Sequence, residues 1–321
     1  MDYHSLRQQL SDAPLRFGLI GARGGLPDYW QPLEQYLQII GFEPDERSFA
    51  ALPQDKHHHY LPLGLADAAG TQTLYLTKKE GVSSIYHPNQ QLLSQFAVAP
   101  EFTVIGTKEI PVDTLDNIRR SAELPPVDFM QFDTQGSELP ILRGSEETLK
   151  ATLGIEIEVE FAPMYENQPL FSDIDPYLRA RGFTLFDLRG YYFKRTRAYA
   201  LGGPKGQLLS ADAIYLRTID SLLEMLQLQK PSEVRKTIRR LITICLVYGY
   251  ADYALAITEE LPEKEAHPLR RVINDSVPAA VPDFPGRGRL AVLLRRLTAR
   301  LLPLKPSGVH RETLGNANID K

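Results

Sequence analysis

The chain has 321 residues, 43% of them hydrophobic and 24% charged, a globular balance that excludes wholesale disorder and a fibrous chain. At roughly 150 residues per domain, this length suggests two units, or one large α/β domain with an appendage. Thirty-six basic against 40 acidic residues leave a formal charge of −4, so no global field recruits nucleic acid, and a lone cysteine, Cys245, excludes a disulfide framework.

Residues 1–14 read as an N-terminal extension without the apolar core of a signal peptide. The longest apolar run, 241–250, falls well short of the roughly 20 residues a membrane helix needs, so a cytoplasmic protein is expected. Residues 15–20 form an apolar strand that ends in Gly21-Ala-Arg-Gly-Gly25. A helix is expected around 30–37, with Pro32 in its first turn. A second strand at 38–42 stops at Glu43-Pro44, a third covers 60–65, and 67–77 reads as a hairpin turning at Ala69-Gly70. Strand 129–132 is followed by a turn at Gly136 and a helix over 138–150. Along 153–161, Ile155, Ile157 and Val159 alternate with Glu156, Glu158 and Glu160, the period of a strand. A helix at 174–180 precedes short strands at 183–188, 191–194 and 213–217. This alternation predicts a mostly parallel sheet with helices on both faces over 15–217. Helical periods then occupy 219–228, 234–248 and 252–260. A proline-rich linker at 278–285 and a helix at 290–302 complete a helical region, 218–305, before a disordered tail at 306–321.

Two local patterns carry chemistry. Glycines let a backbone approach a ligand where a Cβ would clash, and a helix N-terminus after them offers free N–H groups to an anion. Glu43 ends the next strand, where a carboxylate can accept both hydroxyls of a ribose. The order Gly18-x-x-Gly21-x-x-Gly24 is not the dinucleotide fingerprint, which disfavours a nicotinamide-dependent dehydrogenase. Further on, an apolar strand delivers Asp133 to the carboxyl edge of the sheet, Gly136 turns the chain, and Glu138 opens a helix either as a first-turn acid or as a substrate contact.

The ordered set Gly21-Ala-Arg-Gly-Gly25, Gly41-Phe-Glu-Pro-Asp45, Leu65-Ala-Asp67 with Gly70, Gly81-Val-Ser-Ser-Ile85, Pro111-Val-Asp-Thr-Leu115 and Phe132-Asp-Thr-Gln-Gly-Ser-Glu138 resembles FkbM-type S-adenosylmethionine-dependent methyltransferases from about 17 to 188. The resemblance implies a class I methyltransferase-like doubly wound sheet, here with a C-terminal helical appendage, and methyl transfer to a hydroxyl of a sugar or related small-molecule or glycan acceptor. It implies that Gly21, Ala22 and Gly25 line the methionine part of S-adenosylmethionine, that Glu43 holds the ribose, that Asp67 reaches the adenine amino group, and that Asp133 lies near the transferring methyl. Two positions depart from the family pattern: Leu19 stands where an aspartate is usual, and Gln135 where a glutamate is usual. They motivate an alternative, a catalytically weakened methyltransferase fold acting as a binding or scaffold protein.

A hydroxyl acceptor needs a base within hydrogen-bond reach. Asp133 is the first candidate and His87 the second; Gln135, Glu138 and Glu158 are the expected substrate contacts, Glu158 because a central strand is buried on both sides and its carboxylate must face the cleft. No metal site is expected, since His57-His-His59 reads as a surface cluster without an acidic or cysteine partner in register. Between Phe284 and Arg311 stand seven basic and no acidic residues, with Leu290, Leu293, Leu294, Leu297 and Leu301 at helical spacing. These leucines are expected to be buried within the protein or a homo-oligomer; a helix lying on an anionic membrane surface is the second reading.

Overall fold

The β-branched and aromatic runs of the first two-thirds of the chain pair into one large sheet. The computed structural model describes residues 3–197 and 206–277, and beyond them 285, 286, 288–290, 293, 294, 297 and 307–309. The large sheet contains β1 (Leu15–Ile20), β2 (Leu37–Phe42), β3 (His58–Leu61), β7 (Phe129–Phe132), β8 (Gly154–Glu160), β9 (Phe183–Phe193), β10 (Gln207–Arg217) and β11 (Ser307–Val309). Their order is β11-β9-β10-β8-β7-β1-β2-β3; β3 through β8 run parallel, and β10 inserts antiparallel between β8 and β9. This is the mostly parallel, doubly wound sheet expected of a class I methyltransferase-like fold. A small sheet, β4 (Gly64–Leu65), β6 (Val104–Asp113) and β5 (Gly70–Thr77), stands beside it in the order β4-β6-β5.

Helices cover both faces of the large sheet. On one, Ile155, Ile157 and Val159 of β8 join residues of α4 (Leu115–Ser121), α5 (Glu138–Arg143), α6 (Glu146–Leu149) and α7 (Phe171–Arg179) in a buried cluster. On the other, Phe17 and Phe129 meet α1 (Tyr3–Leu10), α8 (Ile219–Gln227), α9 (Pro231–Val247), α10 (Ala251–Glu259) and α11 (Glu263–Ser276). The long helix α9 starts with Pro231, whose missing N–H costs nothing in a first turn, and stops near Gly249, which takes φ +77°. Single-turn helices α2 (Glu46–Phe49) and α3 (Gln90–Leu93) complete the described α-helices.

Several expectations are corrected. No α-helix follows the glycine cluster: Gly21, Gly24 and Gly25 all take positive φ, Pro27 follows, and only a 3₁₀ turn, Gln31–Tyr36, bridges β1 and β2. The stretch 60–65 divides between two sheets around Pro62, which cannot donate to a ladder. Gly70 lacks the positive φ that a two-residue hairpin turn requires, so β5 pairs instead with β6, a strand not anticipated. The helix expected over 138–150 breaks at Gly144, where a Cβ would lie 2.1 Å from the Ala66 carbonyl oxygen. The three short strands after 182 are two strands of 11 residues whose pairing absorbs irregularities as bulges. His58 is no surface residue: it is buried, and its Nδ1 and Nε2 lie 2.9 and 3.2 Å from Asp55 and Glu34.

The N-terminal segment supplies α1, with Leu6 and Leu10 fully buried. In the C-terminal segment, described residues at 288–290, 293, 294 and 297 are helical, but Leu290, Leu293, Leu294 and Leu297 are 45–54% exposed in the single chain, so the chain by itself does not bury them. The unforeseen α11 packs against α1, α9 and α10. Residues 307–309 pair antiparallel with β9 instead of lying in a structureless tail. Leu301, most of the 278–285 linker and the remainder of the tail lie outside the described residues.

Candidate functional site

Neighbouring parallel strands β2, β1 and β7 end at one edge of the sheet, the edge at which open α/β sheets bind ligands. Residues at or just beyond those ends, Phe42 with Glu43, Ile20 with Gly21, and Asp133 with Thr134, line a cleft of about 810 Å³, counting its open mouth. The small sheet supplies an apolar wall of Leu65, Leu74, Ile110 and Val112. Gly21 is required here twice over, by φ +78° and because a Cβ would lie 2.0 Å from the Asp133 carbonyl oxygen. Gly24 and Gly25 also take positive φ, yet nothing stands within 4 Å of their Cβ positions. The chain therefore approaches β7 closely at Gly21 and stays open beyond it.

Glu43 is 5% exposed, and the Asp45 N–H donates to its Oε1 at 2.9 Å. Burial pushes its carboxyl up to about 7, against the backbone donors of Asp45 and Arg23 that favour the charged form. Asp133 is open to the cleft while protein surrounds it. Desolvation, with the Asp212 charge adding, raises its carboxyl above the ordinary range, against the hydrogen bond from Gln135. Gln135, at φ +56°, ties the floor together. Its Nε2 donates to Asp133 at 2.8 Å and to Glu158, its Oε1 accepts from Tyr165 at 2.9 Å, and its carbonyl oxygen accepts from Ser84 at 2.6 Å.

Beneath the cleft an acidic row crosses the sheet. Glu158 of β8 stands opposite Asp212 of β10, which stands opposite Arg189 of β9. Burial, then the Asp133 charge, raises Glu158 well above the carboxylate range. Burial works against the Arg189 charge, but the Asp212 carboxylate beside it wins and holds the guanidinium above its usual range. Farther along β8, Glu156 accepts hydroxyl bonds from Tyr29 and Tyr248, both at 2.5 Å. Glu138 is 1% exposed and pushed up to about 7 by burial. Its Oε1 accepts from the Thr134 N–H and hydroxyl at 3.1 and 2.9 Å.

Of the residues singled out from sequence, Gly21, Glu43, Asp133 and Gln135 line the cleft. Ala22 is buried behind the glycine turn, Gly25 lies farther along that loop, and Asp67 is exposed beyond β4. Glu138 and Glu158 hold cleft residues from behind rather than lining the cleft. His87 is also outside the lining, with its ring edge-on to Tyr75 and Nδ1 3.6 Å from Glu166. Leu19 is 2% exposed in the sheet core. Sequence reasoning passed over Arg23, Tyr165, Arg189 and Asp212. Arg23 stood inside the glycine cluster, read only for its spacing; the Arg189–Asp212 pair needs a strand register that no local pattern supplies. Among the described residues no group of three or more His, Cys, Asp or Glu side chains is placed to hold a metal, and no helix is long and apolar enough to cross a membrane.

A family profile described as the methyltransferase FkbM domain matches residues 23–185. No curated protein matches the chain at a significant level. Among solved structures, methyltransferase FkbM from Methylobacillus flagellatus KT is 12% identical, with a TM-score of 0.35, over 64% of this chain and 44% of its own. The chain thus spans less than half the length of that protein. Burkholderia thailandensis 1,6-didemethyltoxoflavin-N1-methyltransferase, solved with 1,6-didemethyltoxoflavin and S-adenosylhomocysteine, is 14% identical with a TM-score of 0.29, over 68% of this chain and 80% of its own. A SAM-dependent methyltransferase from Agrobacterium tumefaciens is 11% identical with a TM-score of 0.28, over 67% and 60%.

Proposed function

The chain belongs to the FkbM methyltransferase family, and from that premise we propose that it transfers a methyl group from S-adenosylmethionine to a hydroxyl of a sugar-like or related small-molecule acceptor. One observation carries the reading: Gly21, Glu43 and Asp133 come together around one cleft at the ends of three adjacent parallel strands. The lining fits such a cofactor. Glu43 is a largely buried carboxylate at a strand end lining the cleft, an acceptor for two ribose hydroxyls, and the wall of Leu65, Leu74, Ile110 and Val112 suits a flat base.

Bound there, the cofactor would supply a methyl already activated on a sulfonium, so the protein's task is to align the reactants and exclude water. Gly21 lets the backbone come close, Glu43 fixes the ribose, and Asp133 faces the reacting end. Asp133 would take the proton from the acceptor hydroxyl as that oxygen accepts the methyl group. The raised carboxyl makes Asp133 a stronger base than an ordinary aspartate. Gln135 keeps it oriented, and Asp133 rather than His87 is the proposed base because only Asp133 lines the cleft.

Calorimetric titration with S-adenosylmethionine, then a screen of hydroxylated acceptors with methyl-labelled cofactor, tests this reading; no binding at millimolar cofactor overturns it. The second reading, a methyltransferase fold that binds without turnover, is favoured by the β1–β2 connection, where a 3₁₀ turn replaces the helix N-terminus expected to face an anion. Cofactor binding without transfer to any acceptor supports that alternative.

A further inference from the structure

Among the described residues lining the cleft, Arg23 carries the one positive charge, against Glu43, Asp45, Glu80 and Asp133. Its charge acts on the carboxyls of both Glu43 and Asp133, which sets the guanidinium within Coulombic reach of each strand end. The side chain lies over Gly81 of the small-sheet side, where a Cβ would come within 2.6 Å of Nη1. Its acidic neighbour Glu80 is 3.9 Å from Nε, beyond direct hydrogen-bond length, and both side chains are about half exposed. Arg47 approaches the same Glu80 at 3.8 Å, so Glu80 is shared between two guanidinium groups. A planar fork of five donors is thus held in the cleft without a close acceptor.

An acidic lining suits the sulfonium and ammonium groups of S-adenosylmethionine but repels its carboxylate everywhere except beside Arg23. We propose that Arg23 is the anchor for the carboxylate of the methionine end, an inference that rests on the methyl-transfer reading. The glycines on either side fit this role. Gly21 brings the loop against β7, Gly24 leaves the loop open, and Gly81 leaves room for the guanidinium. An Arg–carboxylate contact is directional and charge-assisted, so its loss is selective for ligands that carry the carboxylate.

The test compares S-adenosylmethionine with its decarboxylated form, titrated calorimetrically into the full chain and into Arg23→Gln and Arg23→Lys. The wild type is expected to prefer the carboxylated ligand. Arg23→Gln is expected to lose about 10- to 100-fold affinity for that ligand, the range of a hydrogen bond to a charged group, and less than about threefold for the decarboxylated one. Arg23→Lys, which keeps the charge but not the fork, should fall between. Equal weakening of both ligands would mean that Arg23 shapes the loop, and unchanged binding that it serves the acceptor; either overturns the inference. The wild type alone gives a second test should the variants fold poorly: equal affinity for the two ligands keeps the cofactor and overturns the anchor. Binding of neither ligand overturns the cofactor reading itself, and the anchor with it.

Discussion

Replacing Glu156 with Gln should change the pH dependence of stability more than stability itself. Glu156 is 3% exposed, and both tyrosine hydroxyls, from Tyr29 and Tyr248, donate to one of its oxygens. Burial, with the Asp212 charge adding, pushes the carboxyl from 4.5 up to about 7, against the hydroxyls and Arg189. The folded protein therefore holds this proton more tightly than the unfolded chain does. Its stabilising effect is complete below about pH 4.5 and is lost as pH rises through 7. At 1.36 kcal/mol per tenfold change in proton affinity, the loss from pH 5 to pH 8 comes to about 2–3 kcal/mol for this one group. A glutamine keeps the shape, its amide oxygen can accept both hydroxyls, and it does not titrate. Urea unfolding of the two proteins at pH 5 and pH 8 should find them within about 1 kcal/mol at the lower pH, with the variant gaining about 2–3 kcal/mol on the wild type at the higher. Parallel pH dependences would refute the reasoning, because they would mean that Glu156 is already ionised in the folded state at pH 5.

Glu43→Ala should weaken S-adenosylmethionine binding at least about tenfold with the fold retained, since two ribose hydroxyls lose a charged acceptor. In the wild type, affinity should rise from pH 6 to pH 8 as a carboxyl raised to about 7 ionises, and calorimetry at the two pH values checks both outcomes. Asp133→Asn should lower turnover at saturating substrate while leaving cofactor affinity near that of the wild type; unchanged kcat removes Asp133 from the mechanism. Gly21→Ala should cost about 2 kcal/mol or more in denaturant unfolding, because φ +78° and the 2.0 Å approach to the Asp133 carbonyl oxygen cannot both be kept, and wild-type stability would refute that account.

The legible parts of this molecule are those whose signal is local. Ile155, Ile157 and Val159 alternate with three glutamates, and β8 lies where that alternation puts it. Glu43 and Asp133 each follow an apolar run, so a strand end followed by an acid was enough to bring both to one cleft. What stayed hidden depends on partners far away in sequence. The strand β6 pairs with β5 residues 27 to 42 positions earlier, and its alternation of exposed and buried residues is diluted by Gly106 and Pro111. Arg189 meets Asp212 only because two strands pair in one register. Glu158 illustrates a different limit: the inference that a buried central strand must aim its acid at the cleft was half sound. The acid does face the site, but Gln135 covers it and turns it into a support.

The missing first crossover helix and the C-terminal helices are two sides of one packing problem. A doubly wound sheet needs both faces covered, and between β1 and β2 the glycines and prolines leave only a 3₁₀ turn. The face around Phe17 and Phe129 is closed instead by Trp30 of that connection and by Tyr248 at the end of α9, whose rings pack edge-on, tilted or stacked at centroid distances of 5.2–6.1 Å. Trp30 Nε1 donates to the Tyr248 hydroxyl at 3.3 Å, and that hydroxyl donates to Glu156. Tyr29, next to Trp30, donates to the same carboxyl. The helical region is therefore joined to the sheet through a shared apolar core, and it also satisfies one of the buried acids of β8, the strand that carries Glu158 beneath Gln135 and Asp133. Sequence composition marks a change of secondary structure after Arg217, whereas the packing runs continuously across it.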